Sequence, residues 1–180
     1  TMNWFQGLRG VLTGMILALG PVRAGDAIRL YYEAAGKAKA GDDEAALTLY
    51  TESAVAAGQE GLGHYVFHAS QQASSLALRF FRDALGQEHA ERALAALAAD
   101  PNAPWARTPM LKINEIELLS NIERACRNQG RLGEAWQRNH RTITRWQEHA
   151  GLPVDPDHLD PTGIAGLSPP FRALGWRLVE

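Results

Sequence analysis

At 180 residues, 46% apolar and with a formal net charge of −2, the chain has the length and composition of one globular domain with a sizeable core. That balance excludes a disordered chain and gives no electrostatic basis for binding nucleic acid. The single cysteine, Cys126, excludes an intramolecular disulfide, and its apolar neighbours at helical spacing mark it as a small buried hydrophobe.

Residues 1–24 admit two readings. A short positive region with Arg9, an apolar run from Val11 to Leu19 and the small-residue ending Val22-Arg23-Ala24 resemble a bacterial secretory signal peptide cut after Ala24. Alternatively, Trp4, Phe5, Leu8, Val11, Leu12, Met15, Ile16 and Leu19 recur at helical spacing opposite Asn3, Gln6, Arg9 and Thr13. That pattern predicts an amphipathic helix, packed on the domain or associated with a membrane through residues 2–20. Gly10, Gly14 and Ala18, four apart, would let two such helices approach closely in lipid. The first reading and the membrane version of the second point to a periplasmic or membrane-associated protein; the packed version points to a cytoplasmic one.

From residue 25 to 151 nothing alternates as a strand does, Ala is abundant, and Gly, Pro or Asp punctuates about six helical segments. The first runs from an Asp26 N-cap to about Ala40 and is expected to bury Ile28, Tyr31, Tyr32 and Ala35. Asp42 caps a second, with the apolar stripe Ala46, Leu47, Tyr50 and Ala54. A third begins near Gly61 and carries Leu62, Tyr65, Val66, Ala69, Ala73, Leu76, Phe80 and Phe81, after which Gly86 is expected to interrupt. The fourth spans Gln87 to Ala99 and stops at Asp100-Pro101. Thr108-Pro109, an N-cap followed by proline at the first helical position, opens the fifth. It carries Leu111, Leu118, Leu119, Ile122, Ala125 and Cys126 and ends at Gly130. The sixth, Arg131 to Ala150, presents Leu132, Ala135, Trp136, Asn139, Ile143 and Trp146. Residues 152–180, with five prolines, are expected to form an irregular arm anchored by Leu167, Phe171, Leu174 and Trp176.

Two of these hairpins share a signature, "AAGKAKAGDDEAALTLYTES" and "NIERACRNQGRLGEAWQRNHRT". In each, a helix ends on glycine and an alanine follows five residues later, Gly41 with Ala46 and Gly130 with Ala135. Glycine lets the chain turn with positive φ, and alanine lets the second helix lie close against the first. The pattern resembles the tetratricopeptide repeat, with Gly41, Ala46, Leu47 and Tyr50 matching in one unit and Asn121, Ile122, Gly130 and Ala135 in the other. It covers residues 26–57 and 114–146. It departs from that family where Leu-Gly is expected and Glu33-Ala34 and Ile122-Glu123 stand, and in the 89 residues between the two glycines, which is no multiple of the 34-residue period. The implied fold is all-α, a stack of antiparallel helix hairpins forming an α-solenoid.

The resemblance also implies a non-enzymatic protein–protein interaction module, an adaptor, scaffold or assembly subunit whose first helices line a concave groove for a protein or peptide. Its groove residues would be Tyr31, Ala35, Ala38 and Lys39, with Glu117, Ser120, Asn121, Arg124, Arg127 and Asn128. Residues 121–150 hold six Arg against three Glu, which favours an acidic partner. Two alternatives stand beside this one. His64 and His68, one turn apart, could chelate a metal or haem iron from one helix face, although no Glu accompanies them as a general base. A membrane-anchored structural subunit is the other. No phosphate loop, Gly-x-Ser-x-Gly or dinucleotide fingerprint occurs, so no catalytic residue and no cofactor are predicted.

Overall fold

A computed structural model describes residues 25–151, which form six α-helices packed in a row; no strand occurs among the described residues. They are α1 (Asp26–Lys39), α2 (Asp43–Gln59), α3 (Gly63–Arg79), α4 (Asp83–Ala99), α5 (Pro109–Asn128) and α6 (Leu132–Ala150), with a 3-10 turn, Pro104–Arg107, between α4 and α5. The expected N-terminal helix or signal segment (1–24) and the C-terminal arm (152–180) lie outside the described residues. No described helix is long and apolar enough to cross a membrane.

One turn is used four times. Residues 41, 61, 81 and 130 all have positive φ, at 81°, 70°, 57° and 72°. The next residue's amide closes a ring back to the preceding helix: Asp42 N to Lys37 O (3.0 Å), Leu62 N to Ala57 O (2.8 Å), Arg82 N to Ala77 O (2.9 Å) and Arg131 N to Cys126 O (2.9 Å). This six-to-one bond, with the five-to-two bond inside it, satisfies the last carbonyls of one helix and aims the chain into the next. Asp42 supplies the expected side-chain cap, accepting from Ala45 N at 3.4 Å. The central hairpin is thus a regular member of the row that hides its signature, with phenylalanine in the glycine's place and Gly86 in the alanine's.

Gly86 therefore does not interrupt a helix; it lies inside α4. A Cβ there would sit 2.6 Å from Leu78 Cγ, so the missing side chain is what lets α4 cross α3 closely. Ala46 and Ala135 are buried at the equivalent place in their hairpins. Successive helices pack antiparallel, and the α1 backbone also approaches α3 and that of α3 approaches α5, while α2 and α4, and α4 and α6, meet through side chains, Thr51 with His89 (3.1 Å) and Arg138 with Glu91 (3.8 Å). The odd helices form one layer and the even helices the other.

The core is divided between the hairpins. Ala34, Ala46, Leu47, Tyr50, Ala54, Ala69, Ala73 and Leu76 fill the first half, and Phe67, Ala90, Ala93, Leu111, Leu118, Ile122 and Cys126 the second. Five side chains expected inside are exposed instead: Ile28, Tyr32, Phe81, Leu132 and Trp136. On α1 the buried stripe is Ala27 and Ala34 with Tyr31 beside them, one residue out of phase with the expected one, because small alanines rather than large side chains face α2. The N-cap is Gly25, not Asp26; Glu60, from the turn after α2, accepts from Gly25 N (3.1 Å) and Ala27 N (3.2 Å) and does the capping from a distance.

Candidate interaction surface

All four tyrosines of the chain converge on the α1–α3 contact. The Tyr31 ring stands edge-on to Tyr32 (5.6 Å between centroids), Tyr50 (5.5 Å) and Tyr65 (5.5 Å). From Tyr65 the series continues along the start of α3 to His64 (5.0 Å) and His68 (4.7 Å from His64), and across to Trp105 of the 3-10 turn, 6.0 Å from His64 and 5.9 Å from the buried Phe67. Edge-to-face rings at these separations each contribute about 0.5–1.5 kcal/mol beyond area burial. Tyr50 and Phe67 anchor this belt from within. Tyr32 and His64 are exposed, and Tyr31, Tyr65, His68 and Trp105 are half-buried, so the belt has an outer face.

Trp105 lies against the first turn of α3, where a Cβ on Gly63 would meet the indole at 3.6 Å, an ordinary van der Waals contact. Behind Trp105 a cleft lined by Ala57, Leu62, Val66, Ala95, Ala96 and Ala99 separates the α2–α3 turn from the second half of α4.

The surroundings disfavour charge on His68, Tyr31 and Tyr65. Burial lowers the His68 pKa below its ordinary value, the His64 charge lowers it further, and a hydrogen bond with Gln71 opposes both. Interaction with the Tyr32 hydroxyl, then burial, raises the Tyr65 phenol; burial, then Tyr32, raises that of Tyr31. No Lys, Arg, Asp or Glu belongs to the belt. His64 and His68 do lie side by side, but no group of three His, Cys, Asp or Glu able to hold a metal occurs among the described residues.

The polar stripe of α5 is placed differently. Glu117 accepts from Gln71 Nε2 (3.1 Å) and Ser75 Oγ (3.2 Å), Asn121 Nδ2 donates to Ser74 Oγ (3.3 Å), and Asn128 Nδ2 donates to Asp83 Oδ1 (2.9 Å). These residues form a polar seam joining α5 to the α3–α4 hairpin. Arg124 lies between them with its Nε buried and without a hydrogen-bond partner, and Arg127 pairs with Glu123 at 3.4 Å. Lys39 is exposed at the far end of α1. Six of the ten residues expected to line a groove therefore fall in three places: Tyr31 in the belt, Lys39 at the opposite helix end, and Asn121, Arg124, Arg127 and Asn128 along the seam.

Sequence reasoning did not single out Tyr32, Tyr65 or Trp105 as surface groups. The available signal was compositional, since every tyrosine falls between residues 31 and 65. Cys126 is buried as expected, and burial raises its thiol pKa, which suits a packing role rather than nucleophilic chemistry. No protein-family model matches the chain, and neither a curated protein nor a solved structure matches it.

Proposed function

We propose that the chain is a non-enzymatic protein-interaction module of tetratricopeptide type, an adaptor or assembly subunit that grips an extended peptide segment of its partner on the odd-helix layer. The observation that carries this is the aromatic belt: large, rigid rings with polar tips, partly exposed and fixed by mutual edge contacts, are the side chains that dominate protein recognition. The layering supports it. Odd helices whose backbones approach one another, beside even helices that meet through side chains such as Thr51 with His89 and Arg138 with Glu91, give the odd side the shorter path along the row, and hence the concave one. The recurring turn and the small residue five positions later support the repeat reading, although the turns closing the hairpins, at residues 41, 81 and 130, are spaced 40 and 49 residues apart, longer than the family period.

The test is a defined peptide library screened against the full chain, followed by titration of the best binder. Tyr32→Ala with His64→Ala should weaken binding at least tenfold, while Leu132→Ala with Trp136→Ala on α6 leaves it unchanged. Equal loss in both pairs, or a stoichiometric metal lost with His68→Ala, overturns the reading.

A further inference from the structure

We infer that the belt is the docking site for a proline-rich segment, and that its occupant in the isolated chain is the chain's own C-terminal arm around Gly166-Leu167-Ser168-Pro169-Pro170-Phe171. This rests on the belt being a binding surface and names what binds there.

The chemistry of the surface selects the ligand. Tyr32 offers a hydroxyl, His64 a ring N–H and Trp105 an indole N–H, each attached to a flat ring, and His68 adds a ring whose hydrogen bond goes to Gln71. Such a surface donates hydrogen bonds and stacks. A proline-rich segment is its complement, because proline has a carbonyl acceptor but no N–H, and its pyrrolidine packs on aromatic rings. Its extended conformation is largely preformed, so little entropy is lost on docking, and aromatic-lined grooves recognise such segments for that reason. An acidic or basic peptide would find no counter-charge within the belt.

The chain's own sequence supplies such a segment, with five prolines after Gly151, two of them adjacent. Antiparallel packing puts the end of α6 at the same end of the row as the start of α3. His64, Tyr65 and Trp105 therefore lie at the end from which the arm departs, with only α5 between α6 and α3. Two helix spacings of 8–10 Å come to about 20 Å. The 17 residues from Gly151 to Ser168 can span up to ~50 Å at about 3.1 Å per residue, so reach is ample. Attachment holds the arm near the belt at an effective concentration of roughly millimolar. Even weak stacking then fills the site until a stronger proline-rich partner displaces it.

The experiment uses the full chain with a nitroxide on Ser168→Cys; Cys126 is buried and left in place. Docking should remove more than half of the ring-proton intensity of Tyr32, His64 and His68 while sparing Trp136, and adding Pro169→Ala and Pro170→Ala should restore it. Unchanged belt intensities, or loss at Trp136 instead, overturn the proposal. A second arm separates this failure from that of the binding surface. A full chain with all five arm prolines changed to alanine is titrated with a free peptide of residues 163–174. Shifts of the belt resonances there, without any arm effect in the first experiment, would leave the belt as a receptor and remove only its internal occupant. No response in either would remove both.

Discussion

Phe81 stands where Gly61 stands one turn earlier in the row: both have positive φ, 57° and 70°, and both are followed by an amide bonded five residues back. The left-handed conformation costs an L-residue with a side chain roughly 1–2 kcal/mol, and glycine nothing. Phe81 recovers little of that by packing, being 84% exposed. Phe81→Gly should therefore stabilise the protein by about 1 kcal/mol, less the greater entropy glycine brings to the unfolded chain. Urea denaturation would show the midpoint rising with an unchanged slope; a fall in the midpoint would mean that the ring is held by something in the native chain.

The close crossing at Gly86 makes the opposite prediction for a similar change. Alanine is the better helix former by up to about 1 kcal/mol, and at Gly36, where a Cβ meets nothing within 4 Å, Gly36→Ala should stabilise by roughly 0.5–1 kcal/mol. At Gly86 the same methyl would lie 2.6 and 2.8 Å from Leu78 Cγ and Cδ2, and Leu78 is itself buried. Overpacking costs of about 1–3 kcal/mol then outweigh propensity, and Gly86→Ala should destabilise by ~1 kcal/mol or more. Opposite signs for the two variants in thermal unfolding are the signature of a glycine kept for interhelix distance.

These two positions also explain how far the fold was legible. Gly41 with Ala46 and Gly130 with Ala135 state the hairpin rule openly, and the helices on either side follow from them. In the middle hairpin the same backbone is written with Phe81 and Gly86, an aromatic where glycine belongs and glycine where alanine belongs, so a reading by residue type sees a core phenylalanine and a helix breaker. Backbone geometry, not side-chain chemistry, is what repeats. The site was obscured for a related reason. A half-buried tyrosine such as Tyr65 has the same helical spacing as a core residue, and only the approach of α1 to α3 brings Tyr31, Tyr32 and Tyr65 together on one surface. The polar stripe of α5 was legible as a stripe, but a seam and a solvated groove need the same residues at the same spacing.

The seam gives a third prediction. Glu117 is the shared acceptor for Gln71 and Ser75, and Gln71 is 5% exposed, so removing the carboxylate leaves a buried amide unsatisfied at a cost of about 1–3 kcal/mol. Glu117→Ala should destabilise by roughly that amount, Ser75→Ala by about 0.5–1 kcal/mol, and Glu117→Gln, which keeps an acceptor oxygen, by less than Glu117→Ala. Because the loss falls on the α3–α5 contact, hydrogen exchange should quicken in α5 and α6 more than in α1 and α2. Uniform quickening would refute a local seam.

His89 sets the acid limit of the structure. It is fully buried, and its Nε2 lies 3.1 Å from Thr51 Oγ1, whose own proton goes to Leu47 O at 2.8 Å. The hydroxyl can then only accept, so the Nε2 atom carries the proton and the ring is neutral, with Nδ1 unpaired. Burial first, and the Arg92 charge second, lower the pKa from 6.5 to about 4. In the unfolded chain the ring titrates near its ordinary 6.5. Between those values the unfolded state holds a proton that the folded state refuses, so stability falls as the pH drops from about 6.5 to about 4 and is flat in this contribution outside that window. The full difference is on the order of 3 kcal/mol. Urea denaturation of the native chain and of His89→Gln at intervals from pH 4 to 8 isolates it, since the surface carboxylates are common to both. The variant should be the less stable at pH 8 and should lose less stability on acidification. Parallel curves across the window would mean that the buried ring is charged or hydrated.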